Sequence, residues 1–124
     1  MDTHIFLAIV EERIATLPLS IREEISNPNG RFYLSVASLW EIAIKHRLGK
    51  LLLKTGLEEL PETARSYNIA LISINEHHAL APVTPEPPTR DPFDRLLLAQ
   101  CAVEGMKLVT IDTALAGHPL SATA

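Results

Sequence analysis

Short apolar segments that alternate with helix-like segments constrain the fold of this chain more than any other feature. Three segments have the length and composition of buried strands: Phe32–Val36, Ile69–Ile74 and Lys107–Ile111. Each is followed by residues whose apolar spacing or start signals favour a helix. Strands that alternate with helices in this way are typical of an α/β domain with a mainly parallel sheet. We therefore predict an α/β fold and one domain over residues 1–124.

The predicted helices share apolar residues at intervals of three and four. The clearest is Asp91–Glu104, which ends at Gly105 as many helices end at a glycine. The others are a first helix through Ile5, Ala8 and Ile9, and helices over Leu17–Ile25, Ser38–Leu48, Leu57–Tyr67, Glu76–Leu80 and Asp112–Ala116. The segment Pro82–Pro88 is rich in proline and lacks glycine, which predicts an extended, stiff connector.

Composition excludes several classes of protein. The chain has one cysteine, so neither an internal disulfide nor a cysteine zinc site can form. The early apolar run Ile5–Val10 is far shorter than the roughly 20 residues of a membrane-spanning helix, and no basic segment typical of a signal peptide precedes it. We therefore expect a cytoplasmic protein with no membrane partner.

Aspartate is scarce among the 15 acidic residues, and the aspartates lie at particular places. Asp112 follows a predicted strand, at the end where parallel sheets place ligands, although an N-cap explains this position better when it is taken alone. Asp91 precedes Pro92, and a capping role suffices for it. Asp94 begins a helix face that continues with apolar residues, so its carboxylate lies near the core and needs a partner.

Glu41 is the most informative acid because the residues around it are apolar. A glutamate in such a segment must pair with a base or bind a cation. Lys45 lies four residues later, at a spacing that favours an intrahelical ion pair. That pair stays open as the simpler explanation, but it does not account for an acid on the apolar side of the helix.

Four separate segments carry Asp2, Glu41, Asp94 and Asp112. If the fold brings these carboxylates together, their mutual repulsion makes a divalent cation nearly obligatory, and Mg²⁺ or Mn²⁺ suits such ligands. Bound cations of this kind can polarise a phosphodiester and generate hydroxide. The residues alone do not establish that the four carboxylates converge.

Basic residues are concentrated locally although the formal net charge is -4. Lys45, Arg47, Lys50 and Lys54 are close in sequence, and Arg95 follows Asp94 directly. Favourable charge at a helix C-terminus explains part of the cluster. We expect Arg95 or Lys45 to contact phosphate or the carboxylates.

The remaining polar and aromatic candidates have structural interpretations. We predict Trp40, Phe32 and Phe93 in the core, and Cys101 as a buried thiol on an apolar helix face. The histidines have no zinc-site spacing and are predicted in surface or polar loops, with His4 set apart by its position near Asp2.

Four segments in order resemble the PIN-domain ribonucleases, and among them the VapC-like toxins of type II toxin–antitoxin pairs. They are Asp2–His4, Ser38–Lys45, Asp91–Gln100 and Leu108–Asp112. The resemblance implies a three-layer α/β/α sandwich that cleaves RNA with Mg²⁺ or Mn²⁺. It also implies a homodimer that a cognate antitoxin holds inactive.

The resemblance assigns a role to each matching acid. Asp94 and Glu41 would hold the metal directly, Asp2 would bridge metal and substrate, and Asp112 would act directly or through water. Thr110 would orient an acid or a water near the site.

The sequence departs from the family pattern at its start. Relatives carry a hydrophobic strand before the Asp-Thr-His block, whereas Asp2 here follows Met1 directly. We therefore expect a truncated first strand and an Asp2 that is poorly positioned beside a flexible terminus. The carboxyl end, Gly117–Ala124, likewise lacks the final apolar strand that we expect.

Two alternative functions follow. The first is a truncated, catalytically inactive PIN-like domain that only dimerises or binds an antitoxin. The second is a receiver or haloacid-dehalogenase-like phosphatase, which needs a strand-end aspartate with a second acid close by. Thr3 and His4 follow Asp2 instead, which disfavours this second alternative.

Overall fold

A computed structural model describes residues 1–122 of the chain as a mixed α/β structure. The α-helices are α1 (Thr3–Val10), α2 (Leu19–Ile25), α3 (Val36–Arg47), α4 (Leu60–Ser66), α5 (Glu76–Leu80), α6 (Pro92–Glu104) and α7 (Thr113–Ala116). The strands are β1 (Phe32–Ser35) and β2 (Ile69–Ile72), and short 3₁₀ helices cover Ile14–Thr16 and Leu57–Glu59. The predicted α/β class is therefore confirmed.

The two strands pair in parallel, with Phe32 opposite Ile69 and Ser35 opposite Ile72. Parallel pairing requires a crossover, and α3 and α4 lie in the connection between the strands. The parallel sheet agrees with the prediction, although it is small.

The predicted strand Lys107–Ile111 is wrong within the described residues, where only a single parallel bridge joins Leu108 to Ser121. The Leu108 amide donates to the Leu120 carbonyl at 2.7 Å, and the Ala122 amide donates to the Leu108 carbonyl at 2.9 Å. The apolar pattern of this segment correctly predicted that it is buried, because Leu108 and Val109 are both buried. The pairing is too short to form a ladder.

The first two residues lie between β1 and the segment 108–110. The Met1 ammonium group donates to the Tyr33 carbonyl at 2.9 Å, and burial lowers its pKa. The Asp2 amide donates to the Val109 carbonyl at 2.9 Å. Asp2 is 4% exposed and caps α1, because its Oδ1 accepts the Ile5 amide. Asp2 is therefore buried and hydrogen-bonded within the fold, which differs from the flexible surroundings that the sequence predicts.

Two apolar clusters hold the elements together. The larger joins α1 to β1, α3 and α4 through residues that include Phe6, Leu34, Ile42 and Leu60. The smaller packs Leu97, Leu98 and Cys101 of α6 against Leu108 and Leu115. The prediction of a buried Cys101 is confirmed.

Side-chain capping moves one predicted boundary. The Ser35 hydroxyl accepts the Ala37 amide at 3.0 Å, so α3 begins at Val36 directly after β1. The observed strand β1 therefore ends at Ser35, one residue before the predicted end at Val36. The observed helix α3 begins two residues before the predicted start at Ser38. At α6 the predicted end is confirmed: Gly105 adopts a left-handed conformation with φ of 67° and closes the helix.

Three side chains differ from their predicted surroundings. Trp40 is 62% exposed rather than in the core, and its ring makes an edge-to-face contact with Phe93 of α6, at 5.7 Å between ring centroids. His78 and His118 are buried rather than in surface loops. Their ring nitrogens all have partners, which is how the fold accommodates them.

No helix within residues 1–122 combines the length and the apolar character that crossing a membrane requires.

Candidate active site

Asp2 is held by hydrogen bonds from both ends of the chain. Its Oδ1 accepts the Ile5 amide at 2.9 Å in the first turn of α1. Its Oδ2 accepts the Thr110 hydroxyl and the Ile111 amide, the latter at 3.3 Å. Because both carboxylate oxygens have donors, the side chain is fixed in one orientation.

Glu41 is buried on α3 with two partners. Its Oε1 accepts the Thr3 hydroxyl at 2.6 Å, and its Oε2 accepts the Lys45 ammonium at 2.9 Å. The ion pair with Lys45, left open by the sequence, is confirmed. Since Thr3 follows Asp2 directly, its hydroxyl also brings Glu41 next to the Asp2 segment.

Asp94 is a site carboxylate whose pKa is clearly raised. It lies in the first turn of α6, half-buried, and Thr89 donates to its Oδ2 at 3.3 Å. Burial is the largest cause that raises its pKa, followed by the negative charges of Asp91 and Asp112, with Glu41 contributing least. Together they raise the pKa to about 6, against the opposing effect of the Thr89 hydrogen bond.

The negative charges of Asp112 and Glu41 both raise the pKa of Asp94, so both carboxylates lie within electrostatic reach of it.

The helices α6 and α7 begin with the same arrangement of a threonine and a capping aspartate. At α7, the Thr110 hydroxyl accepts the Asp112 amide at 3.0 Å, and Asp112 caps the helix by accepting the Ala114 amide at 2.9 Å. At α6, the Thr89 hydroxyl accepts the Asp91 amide at 3.1 Å, and Asp91 caps the helix by accepting the Phe93 amide at 2.9 Å. Both predictions of capping aspartates are thus confirmed.

In both arrangements the threonine hydroxyl also donates a hydrogen bond to a carboxylate of the candidate site. Thr110 donates to Asp2, and Thr89 donates to Asp94. Sequence reasoning identified Thr110 but missed Thr89 and Thr3. The repeated Thr-x-Asp spacing before a helix could have revealed Thr89. Nothing local distinguishes Thr3, whose partner lies 38 positions away.

The two basic candidates have different partners. Lys45 contacts a site carboxylate, as expected of at least one of the pair. Arg95 instead pairs with Glu86 in the proline-rich connector. The structure therefore places Lys45 beside the carboxylates and ties Arg95 to the connector.

The four carboxylates have the donor type and the charge that a divalent cation requires, but their side chains are not closely grouped. Carboxylate oxygens are the ligands that Mg²⁺ and Mn²⁺ prefer, and the raised pKa of Asp94 marks negative charge that a cation would neutralise. Over residues 1–122, however, no three His, Cys, Asp or Glu side chains are grouped closely enough to hold a metal ion.

A family model described as PIN domain matches residues 1–118. The match agrees with the mixed α/β fold and the parallel sheet described above. Neither the curated proteins nor the solved structures include a significant match.

Proposed function

The chain belongs to the PIN-domain family, whose members are generally nucleases, and on this premise we propose that it is a metal-dependent endoribonuclease, the toxin of a VapC-like toxin–antitoxin pair. The observation that carries the proposal is the surroundings of Asp94. A half-buried carboxylate whose pKa is raised to about 6, with Asp91, Asp112 and Glu41 among the causes, is costly in a protein that binds no cation.

The metal would be held by Asp94, Glu41, Asp2 and Asp112, and Mg²⁺ or Mn²⁺ fits their oxygens. When bound, it would polarise the phosphodiester and lower the pKa of a water. The protein's own contribution is positioning. Three threonines and Lys45 donate hydrogen bonds to the carboxylates. Hydrogen bonds of this kind commonly orient the carboxylates that bind metal ions in proteins.

The remaining parts of the proposal concern partners and setting. The proposed substrate is RNA. The proposed protein partners are a second copy of the chain and a cognate antitoxin. We place the protein in the cytoplasm and treat residues 1–124 as one domain. The exposed Trp40, beside Phe93 on α6, supports a protein interface, because exposed aromatic residues are enriched at such surfaces.

RNA cleavage by the purified chain tests the proposal. We expect cleavage with Mg²⁺ or Mn²⁺ and none with EDTA. Asp94→Asn should lower the rate roughly 10²-fold or more, comparable to the loss of one stabilising group in other active sites. Glu62→Gln is the matched control, because it removes an exposed carboxylate on α4. Equal rates for the wild type and Asp94→Asn would reject the assigned site.

A second candidate function is antitoxin binding or dimerisation without catalysis. It is favoured by the carboxylate oxygens of Asp2 and Glu41, all of which already accept hydrogen bonds from the protein. Titration calorimetry with Mn²⁺ separates the two candidates. Heat of binding that disappears in Asp94→Asn supports the nuclease, whereas no binding at millimolar Mn²⁺ supports the inactive domain.

A further inference from the structure

A cavity of about 410 Å³ opens beside the candidate active site. Its apolar floor includes Leu7 of α1, Leu17 after the first 3₁₀ helix and Ile42 of α3. Its volume lies within the range of roughly 300–1,000 Å³ that small-ligand sites occupy. The cavity is therefore large enough for one nucleotide-sized group.

Three basic side chains line this cavity: Arg13, Lys45 and Lys50. Lys45 is committed to Glu41 at 2.9 Å, but the Lys50 side chain has no hydrogen bond or ion pair within residues 1–122. Arg13 contacts an anion only at 3.9 Å, on Glu11. Arg13 and Lys50 are thus available to an anionic ligand.

The cavity shares its wall with the acidic site. Thr3 and Ile111 line it, and they are the residues whose hydroxyl and amide donate to Glu41 and Asp2. The cavity therefore lies next to the carboxylates of Asp2 and Glu41. Cations are needed there, because the acidic site itself repels a polyanion.

We propose that this cavity binds one unpaired nucleotide of single-stranded RNA adjacent to the cleaved bond. The base would pack on Leu7, Leu17 and Ile42, and Arg13 and Lys50 would hold the flanking phosphates. The assignment rests on the proposed nuclease function. A base must be unpaired to enter a cavity, which restricts the substrate to single-stranded segments. An acidic peptide would satisfy the cations, but its carboxylates would leave the apolar floor unused.

Binding of a short fluorescent single-stranded RNA, measured by anisotropy with the full chain in EDTA, tests this proposal without cleavage. Arg13→Gln and Lys50→Gln should each weaken binding several-fold. Each should also reduce the slope of log K against log salt concentration by about 0.7, the value for one lost phosphate contact on a single strand. Lys54→Gln is the matched control, because it is exposed and lies outside the cavity. An RNA with abasic sites should bind more weakly than the intact RNA.

Three results would overturn the proposal. Wild-type affinity and slope in both variants would exclude the two phosphate contacts. Equal binding of abasic RNA would exclude a base in the cavity. A glutamate-rich peptide that binds more tightly than RNA, with the same dependence on Arg13 and Lys50, would assign the cavity to a protein partner. Metal-dependent cleavage that is lost in Asp94→Asn would stand in each case, so failure here is distinguishable from failure of the proposed function.

Discussion

The hydroxyl of Thr110 donates a hydrogen bond to Oδ2 of Asp2, a residue 108 positions earlier in the chain. The same hydroxyl oxygen accepts the amide of Asp112. One side chain therefore fixes a carboxylate at the start of α1 relative to a carboxylate at the start of α7. This connection replaces the support that a continuous strand ladder would give to the segment 108–110.

Thr110→Val should destabilise the fold by about 1–3 kcal/mol, because it removes a buried donor to a carboxylate and an acceptor for an amide while preserving side-chain shape. Urea unfolding in EDTA measures this loss. Thr113→Val is the control, since Thr113 is exposed three residues later. An equal effect in both variants would show that the hydroxyl of Thr110 has no special role.

Asp94→Asn should stabilise the metal-free protein at neutral pH. The pKa of Asp94 in the folded chain, about 6, exceeds its ordinary value of 3.8, so the ionised carboxylate opposes folding. This unfavourable contribution is complete above pH 6 and disappears as the pH falls below 3.8. We expect a higher Tm for the variant in EDTA at pH 7.5, and a gain that shrinks towards pH 4.

Two comparisons make this result specific. Glu62→Gln removes an exposed carboxylate and should leave the Tm nearly unchanged at both pH values. Mn²⁺ should raise the Tm of the wild type more than that of Asp94→Asn, because ligand binding to the folded state stabilises it. A lower Tm for Asp94→Asn at pH 7.5 in EDTA would contradict the argument.

The sequence predicts best what neighbouring residues determine. The caps at Asp91 and Asp112 and the end of α6 at Gly105 depend on residues within one helical turn, and all three are confirmed. The Glu41–Lys45 pair is also local, at a spacing of four residues. Such interactions can be recognised from residue type and spacing alone.

Long-range contacts explain the features that sequence reasoning missed. The hydroxyl of Thr3 matters because Glu41 reaches it from another helix. His78 is buried because Glu104 and the Asn75 amide satisfy its ring, which no local pattern shows. The segment Lys107–Ile111 has an apolar pattern typical of a strand, but strand pairing depends on what lies beside it.

Lys45→Met and Glu41→Gln should show a favourable interaction energy of about 1 kcal/mol in a double-mutant cycle. Lys45→Met alone leaves the buried Glu41 carboxylate with Thr3 as its remaining partner. Partial exposure of Lys45 keeps the loss below that of a fully buried pair. The exposed Glu62–Arg65 pair is the reference, and its cycle should give about 0.5 kcal/mol or less. Equal coupling in the two pairs would mean that burial of Glu41 does not strengthen its interaction.

His78→Gln should destabilise the chain by about 1–3 kcal/mol without altering cleavage by the folded fraction. The ring is 1% exposed and joins α5 to α6: Nδ1 accepts the Asn75 amide at 3.1 Å, and Nε2 lies 2.8 Å from the Glu104 carboxylate. Since Nδ1 acts as an acceptor, the neutral ring carries its proton on Nε2 and donates it to Glu104. A glutamine side chain cannot reproduce both contacts. His77→Gln is the control, because His77 is exposed on the same helix, and urea unfolding of the two variants should show the loss only for His78.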